Sequence, residues 1–485
     1  MKTIFSDMKN AILNEPCINS ALSLARVYGN LLWFADVGVY DASEIEAALI
    51  SRCNIDLGLP QSNVDLAVRS SVLHVITEPY VSGGHTRLME KLASMHAEPV
   101  DLLITRQASN AALVRVSSFF ENVIQINPMT PLETVAEIAR VLAGYEKVVL
   151  HIHPDDIYCV VACGLIAARQ RAKIFFVNHA DHVFSFGSSV ADFYFELSSY
   201  GRRLDGLKTF RGEKSFLGIP IQMPVSLQDM SFAPGRYEEL RFITAGSDIK
   251  FKPVKGLKLS TLLDRILTEY PNSTVRVVGS NLRTAYWWWL LKLKYRERFS
   301  VNSAMPYAEY QIAMTSADFF IDSYPIPGGT AFAEQYVAGR RCVGLISPLQ
   351  GYSPADLLKR STVEQVMNSI STYQHSSKIF QLIEHVNAIH NVKARYLACI
   401  EGGIVCENLL DSHCEWSGDI NLFRHEESAL SVDVSTANFL ELYSLSPRLA
   451  FKLFCQISFD KKIKLFMKIA FAGFQSIKSI RSDAK

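Results

Sequence analysis

The 485-residue sequence predicts an α/β protein with two domains, each built around a parallel sheet. Short apolar runs of strand character alternate with helical segments of ten or more residues, the rhythm of a parallel sheet covered on both faces. That rhythm starts twice, near residues 71 and 236, with a glycine- and proline-bearing stretch between. In each series a strand runs into a glycine turn that opens a helix, at Gly83-Gly84 and again at Gly328-Gly329. The chain therefore divides into a helical segment (1–70), a first α/β domain (71–235), a second (236–400) and a helical region with a basic end (401–485).

The bulk properties narrow the function classes. With 49% hydrophobic, 20% charged and 11% aromatic residues the composition is globular, and the length allows a core in each domain. Forty-nine basic residues against 48 acidic leave a net charge of +1, and no nucleic-acid motif is present, so no nucleic-acid partner is expected. Nine cysteines without framework spacing read as reduced thiols of a cytoplasmic protein. Cys159 and Cys163 stand four apart rather than as CxxC, and Cys406, His413 and Cys414 lack the paired spacing of a zinc site, so no metal site is expected. Asp7 and Lys9 interrupt the N-terminal apolar residues too early for a signal peptide. No stretch reaches the ~18 uncharged apolar residues of a spanning helix.

In chain order, residues 1–70 read as helices, for instance 42–51. The first strand is VLHVIT from Val72, followed by the turn SGGHTRL and the helical LMEKLASMHA. Strands DLLIT, VIQI, VVLHI and IFFVN follow, with helices at 130–144 and through VVACGLIAARQ. IFFVN ends in Asn178-His179-Ala180-Asp181-His182, at the carboxyl end of a strand, where open α/β sheets bind ligands. His179, Asp181 and His182 are thus candidates for acid–base chemistry, with His151 and His153 at the preceding strand end. From about 202 to 237 the pattern loosens into an expected interdomain connection.

The second series opens with RFITAG and Ser247-Asp248-Ile249-Lys250-Phe251-Lys252-Pro253. A helix holding Trp287, Trp288 and Trp289 should be buried on several sides or sit at a domain interface, since consecutive tryptophans point around a helix. The segment DFFIDSYPIPGGTAFAEQYVAGRRCVGLIS, Asp318 to Ser347, reads as strand, glycine turn, helix and strand. Thr330 is placed to cap the helix, whose N-terminal N–H groups and dipole suit a phosphate, with Glu334 one turn further in. The last stretch, 447–485, has nine Lys or Arg against two Asp, a balance of +7, interleaved with apolar residues. It fits either an amphipathic helix on an anionic bilayer or a helix docked on the protein with its lysines in water.

Two βα domains joined by an irregular connection resemble the GT-B glycosyltransferases. Within the second domain, residues 316–345 resemble the donor site of the O-linked N-acetylglucosamine transferases and the bacterial cytoplasmic N-glucosyltransferases. The matching features are Asp322, Pro325, Gly328 to Thr330, Glu334 and Gly339. The resemblance implies two Rossmann-like domains and a nucleotide-sugar donor, with a UDP-sugar expected. It carries the family's diphosphate-binding turn to Gly328, Gly329 and Thr330 and its ribose contact to Glu334. The family's diphosphate lysine falls on Lys252, with Lys250 the alternative, and the first-domain turn at Gly83 and Gly84 is similar to that of many GT-B transferases. The base of an inverting transfer would come from His182, Asp181, His179 or His85. No cofactor or metal is expected beyond the donor, and the acceptor would be a glycan, a lipid-linked glycan or a protein. A nucleotide-sugar epimerase and a non-catalytic scaffold share the same outline; a Rossmann dehydrogenase does not, because no GxGxxG follows a strand.

Overall fold

The computed structural model describes residues 4–58, 70–81, 83–167, 172–224, 239–305, 307–413, 421, 424 and 434–469. Ser82 of the first glycine turn, most of the interdomain connection, Cys414 and residues 470–485 of the basic end lie outside the described residues.

Seven strands form the first sheet: β1 (Ser70–Ile76), β2 (Asp101–Ile104), β3 (Val123–Gln125), β4 (Tyr145–His151), β5 (Lys173–Val177), β6 (Phe193–Glu196) and β7 (Glu213–Phe216), in the order β3-β2-β1-β4-β5-β6-β7. Five form the second: β8 (Arg241–Ala245), β9 (Thr274–Val278), β10 (Phe299–Asn302), β11 (Phe319–Ile321) and β12 (Arg341–Val343), in the order β10-β9-β8-β11-β12. Neighbouring strands pair in parallel throughout both sheets. These are the two Rossmann-like domains that the sequence predicts. β6, β7 and β10 are additions to the strands read from sequence, and β7 lies inside the stretch expected to be a connection. Its first two residues are exposed and its last two buried, too short a pattern to stand out among glycines.

Both faces of the first sheet are covered. Leu73 and Val75 of β1 belong to one apolar cluster with the helices Pro131–Leu142 and Ile157–Ala167, on which the helices Ile18–Phe34 and Ser43–Asp56 pack in turn. Val72 and Ile76 face the opposite way, into a cluster shared with Val392, Tyr396 and Ile400. The alternation is that of a strand, whose successive side chains point to opposite faces. Tyr396 and its neighbours belong to the helix Ile389–Gly402, nearly all of which lies within the range read as the second domain (236–400), yet it packs on the first. Leu449, Ala450 and Leu453 of the helix Pro447–Gln456, with Leu465, join the first-domain core, so this part of the basic end is docked on the protein.

The tryptophan run corrects one expectation. The chain enters it as a 3-10 turn, Tyr286–Trp288, before the helix Trp289–Tyr295 starts. Trp288 alone of the three is fully buried, with its indole N–H on Ser280 Oγ at 2.9 Å, while Trp289 is exposed. The three rings point to different sides: Trp288 lies in the second-domain core, Trp287 packs half-buried against it, and Trp289 is left exposed.

Candidate functional site

Each sheet reverses its strand order once, between β1 and β4 and between β8 and β11. The crevice beyond the carboxyl ends of such strands is where open α/β sheets bind ligands.

At the second switch point, β11 runs into buried Asp322 and then the turn. Asp322 Oδ1 accepts the backbone N–H groups of Ser323 (2.9 Å) and Gly328 (2.8 Å), which folds the turn back over the strand end. Its Oδ2 pairs with Lys359 Nζ at 2.7 Å, and Lys359 also meets Asp356 at 2.5 Å. Burial favours the neutral amine of Lys359, yet the two carboxylates hold its pKa above the usual value. The turn needs its glycines. A Cβ at Gly328 would stand 2.6 Å from Asp322 Oδ1, and Gly329 has φ +61 with ψ −118. The helix Thr330–Val337 starts directly after Gly329. Gly329, not Thr330, therefore occupies the N-cap, and Thr330 is the first helical residue, without a side-chain capping bond.

Lys250 comes from the short helix Asp248–Phe251 after β8. Its Nζ donates to Pro327 O at 3.2 Å, so the ammonium lies against the glycine turn. Burial lowers its pKa, and Asp322 partly offsets that. Lys252, the other lysine that the sequence offers, is exposed at the end of the same helix. Glu334 is exposed on the helix Thr330–Val337, and its carboxylate acts on Lys91 of the first domain, whose pKa burial lowers and Glu334 raises.

At the first switch point the strand ends carry histidines. The helix Gly84–Ala93 begins earlier than the sequence suggests, with Gly83 (φ +134) as N-cap, so His85 sits in its first turn. His85 Nε2 donates to His151 O at 2.9 Å, and its ring meets that of His179 edge-on at 4.3 Å between centroids. His151 Nδ1 lies 2.9 Å from His179 Nε2. Burial pushes the imidazoles of His85 and His153 down to about 4, and drives those of His151 and His179 well below the usual value. Neutral rings at pH 7 follow.

Asp181 and His182 stand apart from this cluster. Asp181 is buried and accepts from Ser198 Oγ (2.5 Å) and from Tyr352 OH of the second domain (3.0 Å), which makes it a tie between the domains. The partly exposed His182 has its Nδ1 3.6 Å from Asp181 Oδ1. Of the candidates read from sequence, the fold thus brings His85 and His179 together, and joins Lys250 to Gly328 and Gly329. Sequence reasoning missed His74, His96, Lys91 and Lys359. The one signal for them was a histidine inside the otherwise apolar strand VLHVIT.

No family model matches the chain, and no curated protein does. Among solved structures, the chain is similar to the lipopolysaccharide outer core galactosyltransferase WaaB in its apo form, at 14% identity over 69% of this chain and 100% of that one, with a TM-score of 0.50. HepE of Anabaena, in complex with UDP and glucose, aligns at 12% identity over 69% of this chain and 100% of that one, TM-score 0.49. A mutant of the Thermobaculum terrenum O-GlcNAc transferase aligns at 17% identity over 82% and 78%, TM-score 0.45. At such identities the likeness is one of fold, and the match to WaaB places the two sheets in the GT-B architecture.

Proposed function

We propose that this chain is a glycosyltransferase moving a sugar from a nucleoside diphosphate donor, with uridine as the nucleoside, to an acceptor hydroxyl. The observation that carries the reading is Lys250, an ammonium held 3.2 Å from Pro327 O beside a glycine turn and a helix N-terminus at a topological switch point. A cation and free N–H groups in one crevice make a site for a diphosphate. In this reading the N–H groups at Gly329 and Thr330, with Lys250, take up the charge of the departing diphosphate, and Glu334 accepts from the ribose. They supply the stabilisation that a divalent ion gives elsewhere, so the donor is the only small molecule the reaction requires.

Transfer with inversion also needs a base for the acceptor proton. His179, with His85 beside it, is the better candidate, because its neutral ring can accept a proton while Asp181 is engaged by Ser198 and Tyr352. The acceptor is a glycan, a lipid-linked glycan or a protein, and we favour a lipid-carried bacterial surface glycan reached at the inner face of the membrane. Support for the membrane comes from residues 459–469, where exposed Phe459, Ile463, Phe466 and Met467 share one helical face beside Lys462. No helix among the described residues is long and apolar enough to cross a bilayer, which leaves surface contact as the mode in this reading.

A thermal-shift screen with UDP-, GDP-, CMP- and dTDP-sugars tests the donor, because a ligand that binds only the native state raises the melting temperature. UDP-sugars should raise it most. A melting temperature unmoved by every nucleotide sugar would contradict the reading.

A further inference from the structure

Four histidines that are far apart in sequence form a continuous chain through the first domain. His74, His151 and His179 share one face of the sheet, as the two-residue period requires: β1 pairs with β4 in the register Ile76↔His151, and His179 lies two residues beyond the end of β5. His179 Nε2 lies 2.9 Å from His151 Nδ1, His151 Nε2 3.0 Å from His74 Nδ1, and His74 Nε2 3.4 Å from His96 Nε2. His96 Nε2 also lies 3.0 Å from Tyr396 OH. His74 and His151 are fully buried, whereas His179 at one end and His96 at the other are each partly open to solvent.

We propose that His179, His151, His74 and His96 form a proton relay that carries the acceptor's proton from the cleft along one face of the first sheet to solvent at His96. This rests on the reading of His179 as the base. A neutral imidazole donates through one nitrogen and accepts through the other, so the chain has only two ordered states. In the first, His179, His151 and His74 each hold their proton on Nε2, and His96 holds its own on Nδ1. His179 Nδ1 then has its lone pair free for the cleft. When His179 Nδ1 takes a proton from the acceptor hydroxyl, its Nε2 proton passes to His151 Nδ1. The His151 Nε2 proton passes to His74 Nδ1, and the His74 Nε2 proton to His96 Nε2. The positive charge is now on His96, which releases its Nδ1 proton to water. After the products leave, the reverse run restores the starting state: His179 Nδ1 gives its proton to water and His96 Nδ1 takes one up.

The surroundings suit this role. Around His179 the titratable neighbours are His151, His85 and His153, and no carboxylate among the groups acting on its titration would trap a proton there. Around His96 they are His74, Tyr396, Lys147 and Lys393, the lysines favouring loss of the proton. His151 and His74 act only through their neighbours and are positioning residues in this scheme.

The test uses the full chain labelled with 15N histidine and no substrate, so it reads the relay even if the donor assignment fails. Nitrogen shifts report which ring nitrogen carries the proton. The relay predicts that His179 changes tautomer, from Nε2–H to Nδ1–H, as His96 takes up a proton on acidification. It also predicts that the change disappears in His74→Phe, which keeps an aromatic ring in the stack, and in His96→Gln at the half-buried end. A His179 tautomer that stays fixed throughout the His96 titration overturns the proposal, as does a switch that persists in either variant. Should His74→Phe fail to fold, His96→Gln decides.

Discussion

At the switch point of the first sheet, β1 and β4 lead to neutral, mutually hydrogen-bonded histidines; at that of the second, β8 and β11 lead to a lysine, a glycine turn and a buried ion pair. The two positions are equivalent in topology and opposite in electrostatics. Burial acts on both, but in the first domain it is met by shedding protons, and in the second by pairing charges. A crevice between such ends can hold an anion on one side and move a proton on the other. The difference also predicts that damage on one side leaves the other side's work intact.

The largest separation should come from His179→Ala. Transfer should fall by about 10²- to 10⁴-fold, the usual contribution of a general base. UDP affinity, measured by calorimetry on the same sample, should stay within about twofold. Equal losses in both would erase the distinction between the two halves.

In the second domain the buried charges hold the turn in place. Lys359→Met strands Asp322 and Asp356 without their cation, at a cost of about 3–5 kcal/mol for breaking a buried pair from one side. Urea unfolding should record that loss, together with weakened nucleotide binding, since Asp322 holds the Gly328 N–H. An unchanged midpoint would mean that the turn does not depend on the pair.

Acid should act mainly on the first domain. His85, His96 and His153, each pushed down to about 4, and His74, His151 and His179, driven well below the usual value, bind fewer protons when folded than when unfolded. Their contribution to stability is therefore present above the ordinary histidine pKa of 6.5 and is lost as the pH falls toward about 4. Glu46 and Glu196, both raised to about 7 by burial, work in the opposite sense over part of this range. Six groups against two leave a net loss on acidification. Melting temperature against pH should fall from pH 6.5 downward, and a flat profile there would show that the histidines are not buried as neutral rings.

What was legible in the sequence follows from how local each feature is. The second-domain turn lies within one contiguous stretch, Asp318 to Ser347, so its strand, glycines and helix could be read together. Even there, Thr330 at the cap and the choice between Lys252 and Lys250 needed coordinates, because both turn on a single residue's rotation about the backbone. The histidine chain is assembled from β1, β4, the end of β5 and the residues after the helix Gly84–Ala93. Only the crossovers bring residues 74, 96, 151 and 179 into contact, and no spacing records that. Short strands such as β6 and β7 were missed for a related reason: they are held by neighbours in the sheet rather than by a periodic pattern of their own.

The most direct test of the account is calorimetric titration of UDP into the wild-type chain, Lys250→Ala and Lys252→Ala. Lys250 lies against the turn and Lys252 is exposed beyond it. Loss of a charge-assisted contact in the crevice should weaken UDP binding by about 10- to 100-fold in Lys250→Ala. Lys252→Ala should stay within about threefold of wild type, as expected for a surface charge. Equal affinities in Lys250→Ala and wild type would contradict the placement of the donor diphosphate at Gly328 and Gly329.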